Sequence, residues 1–118
     1  MQSPACFRPS STPAECAASE PASTLVIVRL KVPATTTKED IGGVAERVRN
    51  RFVGMPGLQR KYFAYSPERH EVLNLYAWHD SVAAARLHDP DFVAQIRAAY
   101  AGEPEITFAE VLAIAEST

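Results

Sequence analysis

Two aromatic-rich runs separated by a short polar break constrain the fold of this chain more than any other feature. The runs cover residues 58–66 and 71–79, and "SPERH" lies where they meet. A turn signal, "GMPG", precedes the first run. Aromatic and β-branched runs bounded by turn-forming residues are typical of strands, and so short a break joins antiparallel neighbours. The sequence therefore predicts a β-hairpin over residues 58–79.

Further strands are predicted on both sides of the hairpin. Residues 24–32, "TLVIVRLKV", are apolar at nearly every position and end at a proline, which is typical of a strand buried on both faces. Residues 105–115, "EITFAEVLAIA", alternate well enough to predict a last strand. Helical patterns fill the intervals, and the second of them divides into "VAAARLH" and a segment that begins at "DP".

The first helix shows both a start signal and a weakness. Thr36 and Glu39 have the spacing of a capping box, in which each side chain bonds the backbone of the other residue. The pair Gly42-Gly43 follows within the first turns. Each glycine lowers helix stability by about 1 kcal/mol relative to alanine, so we expect these turns to be irregular.

The predicted order is βαββαβ, which is that of the ferredoxin-like α+β fold with an antiparallel sheet. Helices cover one face of such a sheet. The strands here are apolar on both faces, so the second face also needs a cover. The simplest cover is a second copy of the same sheet, related by a two-fold axis. We therefore predict a homodimer that forms a dimeric α/β barrel.

Hairpin register assigns the polar residues of the two runs to faces. If Ser66 pairs with Glu71, then Phe63 opposes Asn74 and Lys61 opposes Tyr76, because strand side chains alternate. One face then carries Gln59, Lys61, Phe63, Tyr65, Val72, Asn74, Tyr76 and Trp78. The other carries Leu58, Tyr62, Ala64, Leu73, Leu75 and Ala77, a largely aliphatic set that we expect to lie under the helices.

The mixed aromatic and polar face is the candidate small-molecule site. Asparagine is depleted in strands and needs hydrogen-bond partners when buried, so Asn74 is its most informative member. In one interpretation Asn74, Tyr76 and Trp78 hold an aromatic or polyketide-like ligand and orient an oxygen substituent. In the other, Asn74 meets a partner across the dimer and the aromatic rings simply pack. Lys61 is either a base or anion anchor in that site, or a surface lysine whose stem packs.

Composition and spacing argue against several other function classes. The net charge of −2 gives no basic surface for nucleic acid, and no apolar run is long enough to span a membrane. The three histidines lack the spacings that metal sites favour. Neither a phosphate-binding loop nor a dinucleotide-binding fingerprint occurs, so we expect no bound nucleotide, flavin or metal. Cys6 and Cys16 are expected to stay reduced, which predicts a cytoplasmic protein.

The first residues differ in composition from the rest. Residues 1–23 are rich in proline, serine, alanine and threonine and lack the basic and apolar regions of a secretion signal. We expect residues 1–23 to be a disordered tail and residues 24–118 to form one folded domain.

The stretch "PGLQRKYFAYSPERHEVLNLYAWHDS", followed by "VAAARLH", resembles the YdhR-like mono-oxygenases. These belong to the dimeric α/β-barrel superfamily, which also holds the antibiotic-biosynthesis mono-oxygenases. The similarity is strongest in the Pro56-Gly57 turn, at Lys61, in the Ser66 to Glu71 hairpin and at Leu75-Tyr76, and it continues through Trp78 and Asp80.

The resemblance implies a ferredoxin-like homodimer with a pocket between sheet and helices. It also implies a cofactor-independent mono-oxygenase that uses molecular oxygen on a small aromatic, quinol or polyketide-type substrate. Asn74 and Trp78 could match the asparagine and tryptophan of its quinone-forming members, whose further tyrosine and arginine have no clear counterparts here. Lys61, Phe63, Tyr65 and Tyr76 would contact the substrate. The alternative is a non-catalytic protein of the same fold, either a ligand-binding or stress-related protein or a polyketide cyclase-like accessory.

Overall fold

The computed structural model describes residues 21–100 and 102–117. The strands of this part are β1 (Thr24–Lys31), β2 (Leu58–Ser66), β3 (Glu71–Trp78) and β4 (Glu105–Glu110). The α-helices are α1 (Lys38–Val48), α2 (Ser81–Leu87) and α3 (Pro90–Tyr100), and a 3₁₀ turn, Arg49–Arg51, follows α1. Cys6, Cys16 and the predicted tail up to residue 20 lie outside the described residues.

The four strands form one antiparallel sheet in the order β2-β3-β1-β4. The two strands that flank the first helix in sequence, β1 and β2, are separated by β3, as the split βαβ arrangement requires. The predicted ferredoxin-like α+β fold is therefore confirmed. Whether two such sheets pair remains a prediction.

The hydrophobic core lies between the helices and one face of the sheet. From the sheet it takes Val26, Val28 and Leu30 of β1 together with Val72, Tyr76 and Trp78 of β3. From the helices it takes Ile41, Ala84, Phe92, Ile96 and Tyr100. The opposite face carries Leu25, Ile27, Leu73 and Leu75, all partly exposed, and the half-exposed Tyr62.

The two faces of the hairpin are the reverse of those predicted. The pairings Phe63–Asn74 and Lys61–Tyr76 are confirmed. However, the face with Asn74, Tyr76 and Trp78 lies under the helices, and the aliphatic set lies on the open face. Alternation fixed which residues share a face, but both sets are apolar enough to attract helices, so alternation alone did not say which one they cover.

A β-bulge corrects one further detail of the register. Pairing shifts between Leu58 and Arg60, so Leu58 rather than Gln59 lies opposite Trp78. The extra residue turns the Leu58 side chain toward the core, where it packs against the buried cluster. Leu58 therefore belongs to the helix-covered face and not to the aliphatic set.

The start of α1 lies one residue later than predicted. The capping box is formed by Thr37 and Asp40: Thr37 Oγ1 accepts from the Asp40 N–H at 3.1 Å, and Asp40 Oδ2 accepts from the Thr37 N–H at 3.0 Å. Thr36 and Glu39 have the same spacing but do not cap. The helix also runs through Gly42-Gly43 without a break, because its apolar face, anchored by Ile41, packs onto the sheet.

The remaining boundaries largely follow the sequence signals. Asp80 caps α2 through Oδ1, which accepts from the Val82 N–H at 2.9 Å. Asp89 Oδ1 accepts from the Phe92 N–H at 2.9 Å, and Pro90 is the first residue of α3. The strand β4 ends at Glu110, five residues before the predicted end at 115.

The domain includes residues that precede β1. The Ser23 N–H donates to the Trp78 carbonyl at 2.7 Å, and Ala22 is buried. Within the described residues, none of the helices is long and apolar enough to cross a membrane.

Candidate functional site

A cavity of about 140 Å³ lies between the helix-covered face of the sheet and the helices. The sheet contributes Lys61 from β2 and Asn74 and Tyr76 from β3 to its wall. The helices, the 3₁₀ turn and their connections contribute Val44, Val48, Arg51, Phe52, Met55, Leu87, Phe92, Gln95, Ile96, Ala99 and Tyr100. The predicted pocket between sheet and helices is therefore present.

The cavity is suited to an apolar ring that carries a polar group. Its volume is close to that of engineered cavities of about 150 Å³, which bind benzene. Most of its wall is aliphatic or aromatic, and the polar side chains of the sheet lie together on neighbouring strands. Such a wall combines a dry surface for a ring with a few groups that can fix its orientation.

Asn74 is the polar residue most deeply buried in this wall. Its exposed fraction is only 2%, and its Oδ1 has no hydrogen-bond partner in the described structure. Burial raises the pKa of the nearby Tyr100 phenol, and the Asn74 side chain moderates that rise. A buried polar atom without a partner costs about 1–3 kcal/mol. The side-chain carbonyl oxygen of Asn74, Oδ1, is therefore positioned to accept a hydrogen bond from a bound molecule.

Tyr76 places a second unpartnered group at the cavity. Its hydroxyl is buried and has no hydrogen-bond partner among the described residues. Burial, followed by the nearby Tyr100 phenol, raises the pKa of Tyr76 far above its ordinary value. The phenol is therefore neutral at physiological pH, and it can donate one hydrogen bond and accept another.

Lys61 extends into a cage of aromatic rings. Its Nζ lies 3.8 Å from the centre of the Phe52 ring, 4.0 Å from that of Phe63 and 4.6 Å from that of Tyr76. Burial lowers the pKa of Lys61 to about 7. The ring faces favour the charged form of the amine, and the loss of water favours the neutral form. Lys61 can therefore change charge near neutral pH, which a surface lysine does not do.

Trp78 lies behind the cavity and not in its wall. It is 1% exposed, stacks at 6.5 Å on Tyr76, and is not among the described residues that line the cavity. Its indole N–H donates to His88 Nε2 at 3.3 Å. The proton of the neutral His88 ring therefore lies on Nδ1, which is buried and without a partner.

The other predicted substrate contacts lie at the border of the site. Phe63 contacts Phe52 edge to face at 6.0 Å and forms one side of the lysine cage, but it does not line the cavity. Tyr65 packs against the core, and its hydroxyl lies 3.5 Å from His70 Nδ1 at the hairpin turn. The structure thus brings Lys61, Asn74 and Tyr76 together and leaves Tyr65 at a distance.

Sequence reasoning missed the residues that close the cavity from the helical side. Tyr100 ends the apolar stripe of α3, and Phe52 follows the 3₁₀ turn. Both have the spacing of core residues, and only the packed helices place them opposite Asn74 and Lys61. The spacing of His88 argues against a metal ligand and gives no sign of its hydrogen bond with Trp78, which it accepts from the end of α2.

The histidines lie in separate parts of the fold: His70 in the hairpin turn, His79 at the end of β3 and His88 at the end of α2. Within residues 21–100 and 102–117, no three histidine, cysteine or acidic side chains lie close enough together to hold a metal ion.

Solved structures with the same fold include proteins of known and unknown function. SnoaB, a cofactor-independent oxygenase from Streptomyces nogalater, is 19% identical in a mutant form, with a TM-score of 0.60 over 79% of this chain and 96% of that one. The mono-oxygenase ActVA-Orf6 of Streptomyces coelicolor, in complex with the ligand nanaomycin D, is 15% identical, with a TM-score of 0.60 over 82% and 94%. NE2512 from Nitrosomonas europaea, a protein of unknown function, is 17% identical, with a TM-score of 0.61 over 82% and 96%.

At these identities the similarity shows the ferredoxin-like fold alone. No protein-family model matches the sequence, and no curated protein matches it.

Proposed function

We propose that this protein is a cofactor-independent mono-oxygenase acting on a small aromatic, quinol or polyketide-type substrate. One observation carries the proposal: the Asn74 carbonyl and the Tyr76 hydroxyl are both buried and unpartnered in residues that line an apolar cavity the size of one ring. A ring with a hydroxyl group would satisfy both, since the hydroxyl can donate to Asn74 Oδ1 and accept from the Tyr76 phenol. The oxygenase activity of SnoaB and of ActVA-Orf6, which share the fold, supports the same choice.

In the proposed mechanism the protein prepares an electron-rich anion and lets it react with oxygen. Lys61 in its neutral form accepts a proton from the substrate, and the resulting ammonium ion stays beside the anion within the aromatic cage. Asn74 Oδ1 accepts a hydrogen bond from a substrate hydroxyl, the Tyr76 phenol donates to the ionised oxygen, and the apolar wall excludes water.

The electrons balance without a bound cofactor. Loss of a proton from a substrate hydroxyl places carbanion character on the neighbouring ring carbon. This carbon gives its electron pair to O₂, a carbon–oxygen bond forms, and Lys61 protonates the peroxide anion. Loss of water from the hydroperoxide then converts the C–H of that carbon to a carbonyl. One oxygen atom of O₂ then resides in the product and the other in water.

The predicted site residues take different roles in this proposal. Asn74 and Lys61 are the catalytic residues, since Asn74 contacts the substrate oxygen and Lys61 binds the substrate and transfers its proton. Tyr76 binds the substrate directly, and Phe63 shapes the cage around the amine. Trp78 is a positioning residue, because it supports Tyr76 from behind.

We also propose that the protein is a cytoplasmic homodimer of the YdhR-like type. Its open sheet face carries Leu25, Ile27, Leu73, Leu75 and Tyr62, which an opposing copy of the sheet would cover. The pairing of two sheets would give the dimeric α/β barrel that the resemblance implies.

A non-catalytic binding protein is the second candidate. The observation in its favour is the position of Trp78, which does not reach the described wall of the cavity. A ligand-binding, stress-related or cyclase-like protein would need the cavity and its polar groups, but no access of oxygen to a reactive anion.

Oxygen uptake with single-ring dihydroquinones separates the two candidates. The enzyme hypothesis predicts protein-dependent uptake that falls about 100-fold in Asn74→Ala, because loss of the acceptor that orients the substrate hydroxyl misplaces the reacting atoms, which costs on the order of 10²-fold. Asn50→Ala is the matched control, since Asn50 is exposed and lies outside the cavity. Tight binding of these compounds without uptake would favour the binding protein.

A further inference from the structure

Lys61 differs in its environment from the other lysines of the chain. The sequence contains three lysines: Lys31, Lys38 and Lys61. Lys31 is exposed, and its Nζ donates to the Arg69 carbonyl at 3.2 Å. Lys38 is exposed at the first turn of α1. Only Lys61 has its amine enclosed by aromatic rings and beside a cavity.

No acidic group of the described residues forms an ion pair with Lys61, since both ion pairs of this part of the chain involve arginines. The other charged and titratable groups described near Lys61 are not anionic, so none of them can stabilise its ammonium form as a carboxylate would. Arg51 lines the same cavity and is cationic, and the phenols of Tyr76 and Tyr100 are neutral. His88 is also neutral, since burial and then the charge of Lys61 lower its pKa to about 4.

The consequence is an amine that is unprotonated much of the time near neutral pH. Burial without a carboxylate partner is the standard way in which proteins activate lysine as a nucleophile. The pKa of Lys61, lowered to about 7 by burial, agrees with its geometry. An exposed lysine at pH 7 is almost entirely protonated and nucleophilically inactive.

The space beside the amine determines what can react with it. The cavity of about 140 Å³ has an apolar wall and takes a molecule of about one ring. A carbonyl carbon attached to such a ring would lie next to Nζ when the ring occupies the cavity.

We propose that Lys61 is a carbonyl-reactive site that forms an imine with single-ring aromatic aldehydes. The lone pair of Nζ attacks the carbonyl carbon, and the carbonyl π bond breaks to give a carbinolamine. The second proton of the amine passes to the carbinolamine oxygen, which leaves as water while the carbon–nitrogen double bond forms. The reaction needs no oxidant or reductant, and its products are the imine and one water molecule.

Tyr76 is placed to assist the loss of water. The centre of its ring lies 4.6 Å from Lys61 Nζ, and its hydroxyl has no partner among the described residues. A neutral phenol can donate a hydrogen bond to the oxygen of the carbinolamine as water leaves. This site uses the same amine as the proposed oxygenase, but its reaction requires no oxygen and is detected independently of turnover.

Reductive trapping tests the proposal on the full chain. Benzaldehyde and cyanoborohydride at pH 7 convert an imine to a stable benzyl amine, and peptide mapping then assigns the adduct to Lys61, Lys31 or Lys38. We expect Lys61 to be labelled at least about tenfold faster than either exposed lysine, since about half of its amine is unprotonated at pH 7. The labelling rate of Lys61 should rise with pH to a midpoint near 7.

Variants distinguish a specific site from general reactivity. Lys61→Met should lose the fast adduct, whereas Lys31→Met and Lys38→Met should retain it. Thermal unfolding of Lys61→Met reports whether the fold survives. If the fold is lost, toluene replaces the variant. Toluene fills the cavity but cannot react, so it should slow the labelling of Lys61 in the unmodified chain. Equal labelling of the three lysines, or a midpoint near 10 for Lys61, would overturn the proposal. The oxygenase proposal fails separately, by absence of oxygen uptake.

Discussion

At the scale of single residues, the hydrogen bond from Trp78 to His88 supports the cavity wall at Tyr76 from behind. The indole N–H donates to a ring that contacts Tyr76 and Phe92 edge to face, each at 4.5 Å. A charged imidazole could not accept this hydrogen bond. The structure therefore requires His88 to be neutral, and the position of Tyr76 depends on that state.

His88 makes stability depend on pH. Burial, followed by the charge of Lys61, lowers its pKa from 6.5 to about 4, while Asp89 acts in the opposite direction. Between these values the unfolded chain binds a proton that the folded chain does not, so the free energy of unfolding decreases as pH falls through this window. We expect a loss of about 1–2 kcal/mol, reduced from the full shift because the ring is partly exposed.

Urea unfolding between pH 7 and pH 4 measures this loss. The side-chain amide of His88→Gln can still accept the hydrogen bond from Trp78. Over this pH range the free energy of unfolding of His88→Gln should therefore fall by about 1–2 kcal/mol less than that of the unmodified chain. In the control His79→Gln, nine residues earlier, the free energy of unfolding should decrease with pH as much as in the unmodified chain. If His88→Gln and the unmodified chain lose stability in parallel, His88 is not the group responsible.

At the scale of secondary structure, two short signals position the helices that close the cavity. Thr37 and Asp40 fix the start of α1, and Gly57 allows α2 to approach β2. Gly57 has φ of +83°, and a Cβ there would lie 2.7 Å from the Cβ of Ala83. Only glycine combines that backbone conformation with so close a neighbour.

The cap of α1 can be tested with two neighbouring threonines. Thr37→Ala removes the acceptor of the Asp40 N–H and should lower the free energy of unfolding by about 1 kcal/mol. Thr36→Ala should change it by less than about half that amount, because the Thr36 side chain does not cap α1. Equal losses in chemical denaturation would contradict the cap assigned to Thr37.

A second matched pair tests the close approach at Gly57. Gly57→Ala should lower the free energy of unfolding by more than about 1 kcal/mol, since the new methyl group clashes and the backbone is strained. Gly42→Ala should instead raise it by about 0.5–1 kcal/mol, because a Cβ there meets nothing within 4 Å and alanine favours the helix. Thermal or urea denaturation that showed the same sign for both variants would contradict the structure.

At the scale of the whole molecule, the open face of the sheet is the largest feature without a cover. We expect sedimentation at micromolar concentration to show a homodimer, and Leu75→Asp to shift it toward monomer, because a carboxylate in an apolar interface lacks a partner. Ala85→Asp, on the exposed side of α2, should leave the dimer intact. A monomer in the unmodified chain would contradict the dimer.

The whole fold was more predictable than the site, and the reason is physical. Strand periodicity and turn residues act locally, so the order of elements and the pairs Phe63–Asn74 and Lys61–Tyr76 followed from the sequence. The choice of covered face depends on the packing of helices against the sheet, and so do the positions of Tyr100 and Phe52 at the cavity. Those contacts join distant parts of the chain and leave no spacing in the sequence.

Incorporation of isotopic oxygen is the measurement that tests the proposed activity most directly. A single-ring dihydroquinone is incubated with the protein under ¹⁸O₂, and the product is analysed by mass spectrometry. If the cavity around Asn74 is a mono-oxygenase site, the product gains one ¹⁸O atom at a rate that Asn74→Ala abolishes and Asn50→Ala preserves. A product without ¹⁸O, or one that forms equally fast with Asn74→Ala, would show that the cavity does not catalyse oxygenation.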